Sequence, residues 1–199
     1  MHTQTTDNYR KHTTTNPIQK LLINNFYNAL LSEAERLQPN SILDVGCGEG
    51  FTLERLKERK IGKKLTGVDF LNRAIEIGKK ERPDLDLRVG NIYDIPFKDN
   101  SFDLCICSEV LEHIEDPEKG LSELVRVSKK YCLLSVPNEP FFMASNFLRG
   151  KNWSRFGNDI EHIQHWTTWG FQKLVEKKLR IQTIRQPFPW TLIVGEKNK

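Results

Sequence analysis

The 199-residue sequence lacks several features that would assign it to common classes of protein. No apolar run approaches the roughly 18–20 residues that span a bilayer, and residues 1–17 lack the apolar stretch of a secretory signal. The four cysteines form no CxxC pair, and three of them lie in or beside apolar, strand-like stretches. These absences predict a reducing, cytoplasmic protein without a membrane span, a disulfide or a structural zinc ion.

The sequence also lacks a strong excess of charge of one sign, because its formal net charge is only +4. Its basic residues mostly alternate with acidic or apolar ones, which is typical of a solvated surface rather than of a nucleic-acid footprint. We therefore do not expect nucleic acid as a partner.

What the sequence does contain is a regular alternation of strand-like and helix-like stretches. Five strands are predicted at SILDV, KKLTGVDF, LDLRVGNI, FDLCICS and KYCLLSVP, with helical patterns between most of them. This alternation predicts a parallel sheet with helices on both faces, whose ligand crevice lies at the carboxyl ends of the strands. Two last strands, RIQTIRQ and WTLIVGEK, are separated by PFP and predict an antiparallel hairpin.

The same pattern predicts the domain organisation. Residues 1–16 are polar and Thr-rich, and we expect a flexible tail or a segment that becomes ordered over a site. Residues 17–199 are predicted to form a single domain, whose first helix begins with Asn16 as the cap and Pro17 in the first turn. Within it, residues 138–167 show no clear long element, which favours a lid-like insertion.

A glycine-rich turn follows the first predicted strand. The run Asp44-Val45-Gly46-Cys47-Gly48-Glu49-Gly50 has glycines at alternate positions, which permit a tight turn and close approach of a ligand to the main chain. A dinucleotide fingerprint needs its third glycine at position 51, where the sequence has Phe51. The second strand ends in Asp69, a carboxylate placed to accept hydrogen bonds from both hydroxyls of a ribose. A ligand with a ribose but no phosphates fits this pattern better than a dinucleotide.

Three segments, ILDVGCGEG, GVDF and GNIYDIPFKDNSFDLCICSEVLEHIEDP, resemble the class I S-adenosylmethionine-dependent methyltransferases, particularly the ubiquinone-biosynthesis-like and small-molecule branch. The resemblance implies a doubly wound α/β fold with a seven-stranded, mostly parallel sheet and a terminal antiparallel hairpin. It also implies an enzyme that uses S-adenosyl-L-methionine, releases S-adenosyl-L-homocysteine and methylates a small-molecule acceptor.

The resemblance further implies which residues hold the cofactor. They are Asp44, Gly46, Cys47, Gly48, Gly50, Asp69, Phe70, Asn91, Ile92, Ser108 and Glu109. In the family, the acidic residue after the second strand binds the ribose, and the fourth-strand loop borders the methyl group. One position departs from the pattern, because the family often has Gly-Asp after the third strand and this chain has Gly90-Asn91. Asn91 retains an amide oxygen that can accept from the adenine amino group, but without charge.

The stretch SEVLEHIED places Glu109, Glu112 and His113 at i, i+3 and i+4, which would share one face of a predicted helix. Methyl transfer to a hydroxyl needs a base, and histidine is the side chain most easily poised near neutral pH. We name His113 and His165 as candidate catalytic residues and expect no metal ion. A surface histidine paired with Glu109 or Glu112 is the alternative for His113.

The predicted insertion and the residues after it are rich in large aromatic side chains: Phe141, Phe142, Phe147, Trp153, Phe156, Trp166 and Trp169. They either pack this segment onto the sheet or line a pocket for an apolar, aromatic or lipid-like acceptor methylated at oxygen. Arg149, Lys151 and Arg155 lie among them and suit an anionic headgroup.

Two other functions stay open from the sequence. Metal-assisted RNA 2′-O-methyltransferases resemble this chain in carrying Glu-x-x-Glu-His after the fourth strand and a later histidine. Here those residues would be Glu109, Glu112 and His113, with His162 or His165. The other alternative is a non-catalytic protein that keeps the fold and binds the cofactor.

Overall fold

The computed structural model describes residues 6–139, 141–143 and 162–198. In that part of the chain the strands are β1 Ser41–Val45, β2 Lys64–Asp69, β3 Asp86–Val89, β4 Phe102–Ser108, β5 Ser128–Pro137, β6 Leu179–Arg185 and β7 Trp190–Lys197. The helices are α1 Asp7–His12, α2 Pro17–Leu37, α3 Phe51–Glu58, α4 Asn72–Glu81, α5 Pro117–Val127 and α6 Thr168–Glu176.

The strands form one seven-stranded sheet in the order β3-β2-β1-β4-β5-β7-β6. The pairs among β1 to β5 are parallel, and β7 runs antiparallel to both β5 and β6. The predicted fold class and the terminal antiparallel hairpin are therefore confirmed. Because β1 and β4 are neighbours, the sheet order reverses beside β1, and the loops after β1, β2 and β4 meet at one edge.

Two hydrophobic cores cover the two faces of the sheet. One core contains the apolar faces of α2 and α3, and the other contains those of α5 and α6. The sequence explains the start of α2, because the Asn16 side chain accepts hydrogen bonds from the backbone N–H groups of Ile18 and Gln19, and Pro17 occupies the first turn. Among the helices in the described ranges, none has the length and apolar character needed to cross a bilayer.

The four cysteines are all free and buried, as expected. Three of them lie in the central strands, and Cys47 lies in the turn after β1. Burial raises the pKa of each thiol, to about 12 for Cys132. They serve as small apolar side chains rather than as reactive groups.

One ion-pair network joins α2 to the far edge of the sheet. Glu33 is buried in α2, and its carboxylate accepts hydrogen bonds from Arg36 Nε at 2.9 Å and from Arg185 Nε of β6 at 2.8 Å. Burial alone would raise the pKa of Glu33, but the two guanidinium groups outweigh it and hold the pKa below its usual range. Helix α2 is thereby attached to the last hairpin.

One predicted local structure is wrong, and one predicted segment lies mostly outside the described residues. Of the two alternatives for the N-terminal segment, a flexible tail or a segment ordered over a site, the second agrees with the structure at residues 7–12, which form α1. The helix predicted for EVLEHI is wrong: only Leu111–His113 forms a single 3₁₀ turn, because Glu109 has a left-handed backbone with φ 59°. The predicted lid lies mostly at residues 140 and 144–161, outside the described residues, as do Phe147, Trp153, Phe156, Arg149, Lys151 and Arg155.

Candidate active site

The turn between β1 and α3 is formed by glycines in left-handed backbone conformations. Gly46, Gly48 and Gly50 have φ values of 78°, 53° and 90°. The Gly46 N–H donates to Val68 O at 2.8 Å, which fixes the turn against β2. A methyl group added at Gly46 would lie 2.2 Å from a Val110 methyl group, so the loop after β4 packs directly on this turn. The predicted glycine loop therefore lies at the edge where the strands end.

Two buried carboxylates flank the glycine turn, at the end regions of β1 and β2. Asp69 accepts hydrogen bonds from the backbone N–H groups of Gly48 and Leu71, each at 2.8 Å. The Oδ2 atom of Asp44 is buried and has no hydrogen-bond partner among the described residues. Burial, and then the charge of Asp69, raises the pKa of Asp44 to about 7. An orphaned carboxylate oxygen beside a glycine cradle fits a ligand that carries hydrogen-bond donors, such as the ribose and ammonium groups of S-adenosylmethionine.

The predicted adenine-binding residues follow β2 and β3. Phe70 is 73% exposed, so its ring is available to a ligand. Ile92 is buried in the core beside Gly120. The amide oxygen of Asn91 accepts from the backbone N–H of Tyr93 at 2.9 Å. Asn91 therefore shapes the loop after β3 and has one of its two oxygen lone pairs already engaged.

The side chain of Cys47 points away from the ligand edge. It belongs to the core on the α2 and α3 face, where its sulfur packs close to Gly67. Its backbone N–H donates to Val68 O at 3.1 Å. The Cys47 thiol also donates to Gly48 O at 3.6 Å, so its side chain is engaged within the protein and only its main chain is placed to contact a ligand.

The segment after β4 turns sharply at Glu109. The hydroxyl groups of Ser108 and Ser135 are 3.0 Å apart, which links the ends of β4 and β5. The Glu109 carboxylate accepts from Trp190 Nε1 and lies 3.4 Å from Ser135 Oγ. Burial raises the pKa of Glu109, against the lowering effect of nearby Lys11. Glu109 is thus held against β5 and β7 rather than on a shared helical face with Glu112.

Glu112, His113 and His162 come together next to this turn. One potential ligand atom from each residue lies within 4.8 Å of the other two. Glu112 is fully buried, and neither of its carboxylate oxygens has a hydrogen-bond partner among the described residues. Its carbonyl oxygen accepts from the N–H groups of Ile163 and Gln164, both at 2.9 Å, which brings His162 to the 3₁₀ turn.

Glu139 connects the two later histidines. The Nδ1 atom of His162 lies 2.6 Å from Glu139 Oε1, and the Nδ1 atom of His165 lies 3.7 Å from the same oxygen. His162 is buried, whereas almost half of the His165 side chain is exposed. His113 and His162 are in ring contact, with centroids 5.1 Å apart. Of the two predicted catalytic histidines, His113 therefore contacts His162, whereas His165 lies beside Glu139.

Helix α1 lies across the glycine turn. Glu49 of the turn is buried, and its two carboxylate oxygens accept hydrogen bonds from the Thr6 hydroxyl and from Asn8 Nδ2, the latter at 2.6 Å. At the other end of the helix, Lys11 Nζ lies 3.9 Å from Glu109 and 5.5 Å above the Trp190 ring. The helix thus spans from the loop after β1 to the loop after β4.

His12 fixes the end of α1 to α3. Its ring stacks on Phe51 with centroids 4.5 Å apart, and its Nε2 lies 3.5 Å from the Tyr27 hydroxyl. Burial, and then the positive charges of Lys11, Arg55 and Arg82, lowers the pKa of His12 to about 3. His12 is therefore neutral in the docked helix at physiological pH.

Four residues of this region were missed by sequence reasoning: Lys11, Glu49, Glu139 and Trp190. Glu49 lies inside the glycine motif, and a carboxylate in such a turn indicates that hydrogen-bond donors from elsewhere in the chain bind it. The other three make contacts with residues far away in the chain, since Lys11 lies over Trp190 and Glu139 binds His162, so no local pattern marks them.

Comparison with known proteins agrees with this geometry. Residues 43–135 match the methyltransferase domain family. A demethylmenaquinone methyltransferase from Renibacterium salmoninarum is 36% identical over 88 residues, which cover 44% of this chain and 36% of that protein. A 2-methyl-6-phytyl-1,4-hydroquinone methyltransferase from Arabidopsis thaliana is 28% identical over 77% of this chain and 46% of that protein. This chain thus spans less than half the length of these curated relatives.

The fold comparison covers nearly the whole chain. The crystal structure of magnesium protoporphyrin IX methyltransferase from Synechocystis, with bound SAH, superposes with a TM-score of 0.73 at 13% identity. The match covers 96% of this chain and 92% of that one. This superposition confirms the doubly wound fold predicted from the sequence, and the domain match over residues 43–135 agrees with the resemblance named there.

Proposed function

We propose that the protein is an S-adenosylmethionine-dependent methyltransferase that methylates a hydroxyl oxygen of a small aromatic acceptor, and the match of residues 43–135 to a methyltransferase domain supports this proposal. The observation that carries the proposal is the contact between Asp69 and the glycine turn. The Asp69 carboxylate accepts a hydrogen bond from the Gly48 N–H and lies at the same edge of the sheet as the turn. The unsatisfied oxygen of Asp44 adds a second acceptor for the cofactor.

In the proposed reaction, the acceptor oxygen attacks the methyl carbon of the sulfonium. The carbon–sulfur bond breaks with its electron pair going to sulfur, which leaves S-adenosylhomocysteine as a neutral thioether, and the hydroxyl proton passes to a base. Holding the two reactants in line supplies much of the acceleration in such a site. His113 and His165 remain our candidates for the base.

The proposed acceptor class is a hydroquinone-type ring. Relatives of this chain are named as methyltransferases of demethylmenaquinone and of a phytyl hydroquinone, which supports a quinone or hydroquinone ring in the acceptor. Exposed aromatic side chains also favour an apolar acceptor, since the rings of Phe141 and Phe188 lie 6.0 Å apart beside the end of β5.

Calorimetric titration with S-adenosylhomocysteine tests the cofactor part of the proposal. We expect one binding site per chain, and the absence of binding to the wild-type protein would contradict the proposal. Transfer of a labelled methyl group to a panel of hydroquinones and phenols then tests the acceptor class. Labelling of a carbon or nitrogen acceptor alone would overturn the assignment to oxygen.

A second candidate, metal-assisted methylation of an RNA 2′-hydroxyl, is favoured by one observation. Glu112, His113 and His162 offer a carboxylate and two imidazoles within 4.8 Å, a set that suits a divalent ion. Glu139 engages Nδ1 of His162 and leaves Nε2 as its ligating atom. Glu109 departs from the four-ligand pattern, because its carboxylate is engaged by Trp190.

Metal dependence separates the two candidates. If the second function is correct, chelation abolishes methyl transfer to a short RNA and Mn²⁺ restores it. Glu112→Gln, which replaces a direct ligand, then reduces Mn²⁺ affinity by at least the roughly 10- to 100-fold that loss of an outer-shell partner costs. Glu115→Gln, an exposed carboxylate three residues away, is the matched control. Metal-independent methylation of a hydroquinone, with no transfer to RNA, would reject this candidate.

A further inference from the structure

The contacts of α1 with the glycine turn are made almost entirely by polar side chains. Both carboxylate oxygens of Glu49 are bound from α1 and its cap, by Asn8 and Thr6, although Glu49 itself lies in the turn and is fully buried. A hydrogen bond to a charged, buried group is stronger than one between neutral groups. Glu49 is thus the main attachment point for the helix at this end.

Helix α1 is poorly equipped to remain in place without these contacts. It has only six residues, none of which is fully buried, and its ring contacts with Phe51 are made by two partly buried side chains, Tyr9 and His12. An isolated helix of that length is unstable in water, so its order depends on the side chains that attach it. Segments with few buried apolar contacts open locally at a low cost in free energy.

The attachment covers the part of the site that the cofactor must reach. A methyl group added at Gly48 would lie 2.5 Å from Asn8 Nδ2, so the Asn8 side chain lies directly against the main chain of the turn. At the β4 end, Lys11 lies over Trp190 and beside Glu109. A ligand whose amino-acid end lies between the glycine turn and Glu109 is therefore covered by both ends of α1, by Asn8 at the turn and by Lys11 at Glu109.

We propose that α1 is a strap over the cofactor site that is held by Glu49 and must undock for the cofactor to enter and for its product to leave. The strap thereby controls the rate of exchange of S-adenosylmethionine for S-adenosylhomocysteine. The inference rests on the proposed cofactor, and it adds a conformational step that the chemistry does not require.

A strap and a fixed wall differ in their binding kinetics. Weakening a strap raises both the association and the dissociation rate of the ligand, whereas removing a contact from a fixed wall raises the dissociation rate alone. Asn8→Ala removes one bond to the Glu49 carboxylate, and we expect both rates for S-adenosylhomocysteine to rise about tenfold. The equilibrium dissociation constant should then change by less than about threefold, since the two rates move together.

Stopped-flow mixing, with tryptophan fluorescence as the signal, measures the two rates on the full-length protein. Arg10→Ala is the matched control, because Arg10 lies on the same helix and its side chain is exposed and paired with Asp7. Hydrogen exchange of the α1 amides without ligand gives a second readout, and Asn8→Ala should reduce their protection where Arg10→Ala does not. Thr6→Val is a second variant, which removes the other bond to Glu49 together with the cap bond that Thr6 accepts from the Tyr9 N–H.

The outcomes separate this inference from the proposed function. If the wild-type protein binds S-adenosylhomocysteine and Asn8→Ala leaves the association rate unchanged, the strap is rejected and the cofactor assignment stands. If the wild-type protein does not bind it, the cofactor assignment itself fails and the strap fails with it. A rise in both rates, together with lower protection of α1, supports the strap.

Discussion

At the scale of single residues, Asp69 makes the sharpest prediction. Its carboxylate accepts two backbone N–H groups and is proposed to accept the ribose hydroxyls. Asp69→Ala removes both roles, and hydrogen bonds to a charged group contribute about 1.5–3 kcal/mol each. We therefore expect calorimetry to show an affinity for S-adenosylhomocysteine that is at least about tenfold lower.

Asp94→Ala is the control for Asp69→Ala, because Asp94 is an exposed carboxylate on the loop after β3. If the wild-type protein and the Asp69→Ala variant have equal affinity for S-adenosylhomocysteine, Asp69 does not bind the ribose.

Gly46 gives a prediction about stability. Alanine at this position would adopt a left-handed backbone, at a cost of about 1–2 kcal/mol, and its methyl group would overlap with Val110. Overpacking of that kind typically costs about 1–3 kcal/mol more. Urea denaturation should show a loss of free energy of unfolding of roughly 2–5 kcal/mol for Gly46→Ala, the sum of these two costs.

A double-mutant cycle separates the two costs at Gly46. Val110→Ala removes the overlapping methyl groups, so Gly46→Ala should be less damaging in the Val110→Ala background than in the wild type. An identical loss in both backgrounds would show that the backbone conformation alone is responsible.

Residue types were predictable where local geometry demands them. A tight turn with three left-handed positions selects glycine, and this made Gly46, Gly48 and Gly50 recognisable in the sequence. The cluster of Glu112, His113 and His162 was less predictable. His162 reaches Glu112 through backbone bonds from a segment about fifty residues later, and no local periodicity encodes such a contact.

At the scale of elements, α1 is predicted to loosen in acid. His12 has a pKa of about 3 when the helix is docked and an ordinary value near 6.5 when it is free. The docked state binds fewer protons, so docking is at full strength above about pH 6.5 and weakens as the pH falls toward 3, by about tenfold for each pH unit.

Protection factors of the α1 amides at pH 7.5 and 5.5 measure this effect once intrinsic exchange rates are divided out. His12→Phe keeps an aromatic ring on Phe51 without a titrating nitrogen, and its α1 protection should be independent of pH over this range. A wild-type helix whose protection is equally constant would refute the role of His12.

Strands and helices were predictable where the apolar pattern agrees with the turn residues that bound it. SILDV and FDLCICS correspond to β1 and β4 with the predicted bounds, because continuous apolar runs between turn residues suit buried parallel strands. The helix predicted for EVLEHI was wrong because the helical spacing of its side chains carries no information about the left-handed backbone at Glu109. The Glu109 N–H donates to Ser135 O, which continues the pairing of β4 with β5 and prevents a helix from starting there.

At the scale of the whole molecule, Glu33 couples the first long helix to the last hairpin. Glu33→Gln leaves the side chain almost unchanged in shape but removes the charge that binds Arg36 and Arg185. Removing one partner of a buried pair can cost about 3–5 kcal/mol, and the solvent exposure of both arginines reduces this to roughly 1–2 kcal/mol.

Thermal unfolding at pH 7 should show this loss of stability for Glu33→Gln. The pKa of Glu33 is lowered in the folded protein, so its contribution is present at neutral pH and is lost as the pH falls through the folded pKa. The difference between variant and wild type should therefore shrink in acid, and a difference that stays constant would point to lost packing instead.

The parallel sheet and its terminal antiparallel hairpin followed from the sequence, because short alternating elements leave few ways to connect parallel strands. The position of α1 did not follow, because a short polar helix has no hydrophobic pattern to show where it docks. Its place is decided by one buried carboxylate on the glycine turn and by one ring stacked on Phe51.

The burial of all four cysteines makes the native protein a suitable background for site-specific dye labelling. Because the thiols are enclosed and their pKa values are raised, a maleimide should leave the wild-type chain unmodified under native conditions. A cysteine placed by Arg10→Cys on α1 and another by Trp169→Cys on α6, where the native side chain is exposed, would then be the two reactive positions. Resonance energy transfer between dyes at these positions would report each opening of the helix in single molecules.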